Sequence, residues 1–331
     1  MTANIYCAGC LDPVIFQVVA PFWREYCEKN PDDSYLWLMR YGKGGEHLKV
    51  RLHGPEDRVP LQRQLLEERV TSFFAALPER TEPLEKKGWV GASPIDAEDD
   101  VEQDHPDRTF LWTTYKRSHI SLGGKPFLDD DRFVTLFTRC MASGCELLLS
   151  LEPGEDGFLS HRTRQNALIK ALIAGLAASG FSAEERADYL AYHRDWLLRF
   201  ILPKDRRAEV YPVEQLQQSF EQRVARMGDA LRPIGAAAEA EWSGNTAGKP
   251  QGLDARWRHS LADLLEYVRL FSNDPDYRLD PFATDQAFSP VFKVFHGFGN
   301  QMGLTMADEA FAHHILLRTT AVPNGALQET T

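Results

Sequence analysis

The stretch SPVFKVFHGFGNQ, residues 289–301, places four chemically active side chains in an otherwise apolar run. Ser289, Lys293, His296 and Asn300 are spaced four, three and four apart, so a helix would carry all four on one side. That side would offer a hydroxyl, an ammonium, an imidazole and an amide. The imidazole exchanges a proton near neutral pH, and the others donate hydrogen bonds to an oxygen or attract an anion. A histidine among apolar residues is also often a hydrogen-bonded core residue, and at this point both readings stay open. His193, in AYHRDW, is a second histidine of the same kind. A different pattern lies upstream in HLKVRLH, where His47, Lys49, Arg51 and His53 alternate with Leu48, Val50 and Leu52. This period of two is that of a strand with one apolar and one cationic face. Lys49 and Arg51 then either solvate an open sheet face or bind a carbonyl-rich or acidic ligand.

Other chemistries lack their signatures. No GxGxxG, GxxxxGK[ST], HExxH or GxSxG occurs, which removes the usual nucleotide, zinc-protease and serine-hydrolase motifs. Cys7 and Cys10 form a CxxC, but no second CxxC or nearby His pair completes a metal site, so they are expected to be free, partly buried thiols. Neither a metal nor another cofactor is expected. The 37 Lys and Arg against 48 Asp and Glu give a net charge of −11, which disfavours nucleic acid and anionic membranes as partners. With no export signal and no long apolar span, a cytoplasmic location is expected.

The 331 residues, 43% hydrophobic and 26% charged, suffice for a sizeable core. YLWLMRY, the glycine-rich GKGG and HLKVRLH predict a β-hairpin. PLQRQLLEERVTSFFAALPE predicts a core-packing helix with Leu61, Leu65, Leu66, Val70, Phe73, Phe74 and Leu77 along one stripe and Pro60 at its start. The acidic DAEDDVEQDHPD reads as a loop, TFLWTTYKR as extended, and RFVTLFTRCMASGCELLLSL as a helix. From residue 162 onward the pattern is overwhelmingly helical: NALIKALIAGLAASG ends at Gly180, and Ser182 with Glu185 forms a capping box. Further helices are expected over 213–232, 257–271 and 303–318, and a loop over 243–252. Strands early and helices late predict an α+β fold, with an antiparallel sheet and hairpin in the N-terminal half and a predominantly helical C-terminal half. It is read as one domain over 1–331, with a strand-rich lobe of about 1–150 and a helix-rich lobe of about 151–331.

Three blocks in order carry a resemblance: WLMRYGKGGEHLKVRLHG, TYKRSHISLGG and HGFGNQMGLTMADEAFAHHILLR. Together they resemble the C-terminal elimination domain of lantibiotic dehydratases, the thiopeptide-type bacteriocin biosynthesis domain, over nearly the whole chain. Arg40, Tyr41, His47, Leu48 and Arg51 match the first block, with Lys49 replacing an arginine. Tyr115, Gly123 and Gly124 match the second, but Ser118 stands at the family's glutamate and Ser121 at its arginine. His296 and Asn300 match the third, and Gln301 replaces its arginine.

The resemblance implies a ribosomally made precursor peptide as substrate. The family's lyases eliminate glutamate from glutamylated Ser or Thr, which needs a base and cations for the departing carboxylate. Serines at 118 and 121 suit that poorly. They fit the related pyridine synthases of thiopeptide biosynthesis, which join two dehydroalanines in a formal [4+2] aza-cycloaddition. On this resemblance His296 transfers protons, Tyr115, Ser118 and Ser121 donate hydrogen bonds, and His193 and Ser289 are further catalytic candidates. Arg40, His47, Lys49, Arg51, Lys293, Asn300 and Gln301 would bind the peptide, and partner enzymes of the same biosynthesis would make contacts. The alternatives are a glutamate-elimination lyase subunit of a split dehydratase and a non-catalytic precursor-binding scaffold.

Overall fold

A computed structural model describes residues 1–29, 33–42, 45–79, 105–114, 130–201, 213–244, 252–272 and 290–320. These form two compact units, one of residues 1–161 with 300–303, the other of residues 162–299 with 304–331.

The first unit is built on a four-stranded antiparallel sheet in the order β2-β3-β1-β4, with β1 at Thr2–Tyr6, β2 at Tyr35–Tyr41, β3 at His47–His53 and β4 at Thr109–Thr113. The expected hairpin is β2–β3, in register from Tyr35 opposite His53 to Tyr41 opposite His47. Gly45 takes φ of +111° in the connection, a conformation that a side chain would strain. Between β1 and β2, α1 (Leu11–Val14), a π turn (Ile15–Val19) and α2 (Ala20–Tyr26) run without a break. The sequence reading made no assignment there, because the run is apolar on nearly every side and has no helical stripe.

Leu48, Val50 and Leu52 are buried as expected, each worth about 1.5–3 kcal/mol on removal from water. The cationic face is buried too, with Lys49 at 5% and Arg51 at 1% exposure. A solvated sheet face is therefore excluded for them. α3 (Val59–Ala76) is the helix expected there, but its buried residues are Gln62, Leu66 and Val70, while Leu61 is 56% exposed. The core stripe is narrower than the apolar pattern suggested. α4 (Asp131–Leu149) starts at Asp130, whose side chain accepts the amides of Arg132 and Phe133, and packs on β2.

The second unit is helical: α5 (His161–Ala178), α6 (Ala183–Ile201), α7 (Val213–Met227), α8 (Arg232–Trp242), α9 (Gly252–Ser272), α10 (Pro290–Met302) and α11 (Met306–Thr320). The last residues of α10, from Asn300, belong to the first unit. The capping box forms as read: Ser182 N–H donates to Glu185 Oε2 at 2.7 Å and Glu185 N–H to Ser182 Oγ at 3.1 Å. Gly180, at φ +66°, ends the preceding helix. α8 was missed, its alanines giving no periodic signal. α10 is buried on most sides by Phe292, Val294, Phe295 and Phe298. It comes close to α5, where a Cβ on Gly175 would meet the Phe295 ring at 2.5 Å. Among the described residues no helix is long and apolar enough to cross a membrane.

Candidate functional site

α10 carries the histidine that the sequence singled out. His296 is 6% exposed, and its Nδ1 lies 2.8 Å from Glu309 Oε2 on α11. The ring is largely enclosed, with a buried carboxylate on one nitrogen. Glu309 is fully enclosed, and burial pushes its carboxyl above the usual range while the His296 ring opposes the shift. Room for the carboxylate comes from Gly299, where a Cβ would sit 2.6 Å from Glu309 Cδ and Oε1. Phe292, one turn earlier on α10, lies parallel to the His296 ring at 5.8 Å between centroids.

Phe292 also stacks on His193, at 4.4 Å and 9°. His193 is buried beside Tyr189 and His313, with ring centroids at 4.2 and 6.4 Å. Neither ring nitrogen of His193 nor the Tyr189 hydroxyl has a hydrogen-bond partner among the described residues. Burial holds the His193 ring well below the ordinary imidazole range, and His313 adds to the shift. His313 Nδ1–H donates to the Glu309 carbonyl at 2.8 Å, and burial brings this ring down to about 4. The α6–α11 core thus holds neutral imidazoles, a phenol and one histidine–carboxylate pair. Lys293 is also buried on α10, at 4% exposure.

In the first unit the candidates separate into two groups. Arg40 pairs across the sheet with Leu48 and so lies on the opposite face from His47, Lys49 and Arg51. It is buried, with its guanidinium 2.7 Å from Asp12 Oδ1 and its Nε–H donating to the Gln301 carbonyl at 2.9 Å. Asn300 exchanges two bonds with the Arg40 main chain, at 2.8 and 3.0 Å. Gln301 Nε2–H donates to the Met141 carbonyl at 3.1 Å. Arg40, Asn300 and Gln301 are thus brought together around a buried ion pair. On the other face, aromatic rings meet the cations: Lys49 Nζ lies 4.2 Å from the Tyr41 ring and the Arg51 guanidinium 4.1 Å from Trp37. His47 stacks between Tyr6 and Tyr41 and donates Nδ1–H to the Gly45 carbonyl at 2.7 Å. His53 stacks on Tyr35 at 4.6 Å, and burial, with help from the N-terminal amine and Arg51, brings it to about 4.

Tyr115, Ser118, Ser121 and Ser289 lie outside the described residues. Cys7 and Cys10 form a disulfide, not the free thiols expected. They link the end of β1 to the start of α1, which brings two chain segments within bonding reach, a proximity that spacing alone does not reveal. Among the described residues no group of three or more His, Cys, Asp and Glu is placed to hold a metal. Asp12 and Glu309 were not singled out from the sequence. The only trace of Glu309 was its place in ADEAFAHH, four residues before His313.

Residues 1–321 match the family described as lantibiotic biosynthesis dehydratase, C-terminal. The chain belongs to this family. Its fold is similar to that of the pyridine synthase TbtD from thiomuracin biosynthesis, with a TM-score of 0.63, 14% identity and 97% of each chain covered. It is also similar to TsrL, at a TM-score of 0.59 and 13% identity, over 96% of this chain and 93% of that one. The tRNA-dependent lantibiotic dehydratase MibB from Microbispora sp. 107891 aligns with 97% of this chain over 28% of its own length, with a TM-score of 0.47 and 12% identity. No curated protein sequence matches the chain. The α+β architecture, a small antiparallel sheet followed by a helical half, is that of this dehydratase-like fold.

Proposed function

We propose that this member of the lantibiotic dehydratase C-terminal family is a thiopeptide pyridine synthase acting on a ribosomal precursor peptide. The observation that carries the reading is Ser118 and Ser121 at the positions where the family motif has glutamate and arginine. The similarity of fold to a pyridine synthase over 97% of both chains supports it.

The amide preceding one dehydroalanine tautomerises to its iminol form, giving a 2-azadiene, and the second dehydroalanine supplies the alkene. Two C–C bonds form, from the diene methylene to the alkene methylene and from the former carbonyl carbon to the alkene α-carbon. The hydroxyl derived from that carbonyl then leaves as water. The leader leaves as its carboxamide, carrying the nitrogen of the second dehydroalanine. The ring becomes a pyridine with no net oxidation, so this scheme consumes no redox equivalent and no nucleotide. What it asks of the protein is proton transfer at the amide and the departing groups, hydrogen bonds to the oxygen, and alignment of two chain segments.

His296 is the proposed proton-transfer group. With Nδ1 against Glu309, exchange with substrate falls to Nε2. Tyr115, Ser118 and Ser121 are the proposed donors at the oxygen. The cations of β3, packed against aromatic rings, contribute a positive field toward an acidic leader more than direct contact.

The test is incubation of the purified protein with a thiazole-bearing precursor containing two dehydroalanines, read by mass spectrometry. A macrocycle and a leader carboxamide are expected together, with His296→Ala slower by about 10² or more. Release of glutamate from a glutamylated peptide would assign the elimination reaction instead, and binding without turnover would make the protein a scaffold.

A further inference from the structure

We infer that Glu309 is a positioning residue for His296, holding the proton on Nδ1 so that Nε2 is the nitrogen presented to substrate. The inference rests on the proposed proton-transfer role of His296. Three features of the fold converge on it.

The first is the contact itself, 2.8 Å between two side chains only 7% and 3% exposed. A carboxylate in that setting is too costly to leave unpaired, and an imidazole N–H is the donor it faces. The second is Gly299. It lies three residues after His296, on the same side of α10, and any side chain there would collide with the Glu309 carboxyl at 2.6 Å. The helix surface is kept bare where the carboxylate must lie. The third is the anchoring of Glu309. It sits in the first turn of α11, where Thr305 and Asp308 cap one another: Thr305 Oγ–H donates to Asp308 Oδ2 at 2.7 Å and Asp308 N–H to Thr305 Oγ at 3.2 Å. Its own carbonyl accepts His313 Nδ1–H. Backbone and side chain are therefore both held before substrate arrives.

Among the described residues, His296 from α10 and Asp308 from its own helix act on the carboxyl. From α6, His193 stacks on the Phe292 ring, which itself lies parallel to the His296 ring. The arrangement fixes one imidazole tautomer. When Nε2 takes a proton, the resulting imidazolium lies against the carboxylate, which favours the charged form.

The experiment compares wild type with Glu309→Gln, which keeps an oxygen acceptor and the volume but removes the charge. Long-range 1H–15N spectra of the full-length protein, with His296 assigned by its loss in His296→Ala, read the tautomer and the ring titration. The pH profile of cyclisation of the same thiazole-bearing precursor reads the role. In Glu309→Gln the His296 ring pKa is expected to fall by about one unit or more, as for loss of an opposite charge in contact. The acidic limb of the rate profile should move with it, and kcat should drop about tenfold or more with little change in KM. A wild-type ring titration in Glu309→Gln overturns the inference. So does a shifted titration with an unchanged rate profile, which would make the pair structural. If His296→Ala itself cyclises at the wild-type rate, the proton-transfer reading fails first, and the spectra still report whether the pairing exists. Should Glu309→Gln fail to fold, Glu309→Asp keeps the charge but withdraws it by one methylene. Partial loss of the Nδ1–H tautomer with a parallel loss of kcat supports the inference, and loss of neither overturns it.

Discussion

Acid should destabilise the helical unit through His313, and the size of the effect follows from its burial. The ring is 2% exposed, and burial lowers its pKa from 6.5 to about 4, with Arg194 adding to the shift and the bond to the Glu309 carbonyl opposing it. The unfolded chain takes up the proton near pH 6.5 and the folded unit resists it until about pH 4, so protonation favours unfolding. Stability from this group is intact above pH 6.5 and is lost as pH falls toward 4. Between pH 7 and pH 4.5 the two titration curves differ enough to remove about 2 kcal/mol. His193, whose ring is also held low by burial, acts in the same direction. Replacing His313 with Phe removes the titration and keeps a ring against Tyr189. Urea unfolding of both proteins, followed by hydrogen exchange in α6 and α11, should give a wild type that loses about 2 kcal/mol more than His313→Phe over this interval. Carboxylates elsewhere titrate equally in the two proteins and cancel in the difference. Parallel stability curves for the two would refute the reasoning.

Removing one partner of the buried Arg40–Asp12 pair leaves an uncompensated charge, so Asp12→Ala should cost about 3–5 kcal/mol in thermal or urea unfolding. A loss below about 1 kcal/mol would place that pair in contact with water. On β3, Arg51→Ala should destabilise by about 1–2 kcal/mol by removing the guanidinium from the Trp37 ring, while Arg51→Met, which keeps an apolar stem there, should lose less. Equal losses would assign the contribution of Arg51 to its charge and not to its packing.

The hairpin, the α4 helix, the Ser182–Glu185 capping box and the helical second half were legible in the chain because their causes are local. Alternation, periodicity and the chemistry of a few capping residues act over fewer than ten positions. Spacing within one short stretch likewise made His296 a candidate, whereas the link to the family came from the order of three blocks along the chain. What faces what depends on partners far away in sequence. Lys49 and Arg51 read as either a solvated or a ligand-binding face because alternation reports that two faces differ, not that both are covered. Arg40 read as their companion, but the pleat puts it on the opposite side, against Asp12. α1, the π turn and α2 left no periodic trace because that segment is enclosed on nearly every side. Glu309 could not be singled out from sequence: its importance arises from packing α11 on α10 at a point where Gly299 leaves room. The sequence by itself determined the elements, the family and the chemical types available. Tertiary structure alone decided which of those groups are enclosed and which pair, because burial and ion pairing are set by distances between residues that the chain order does not encode.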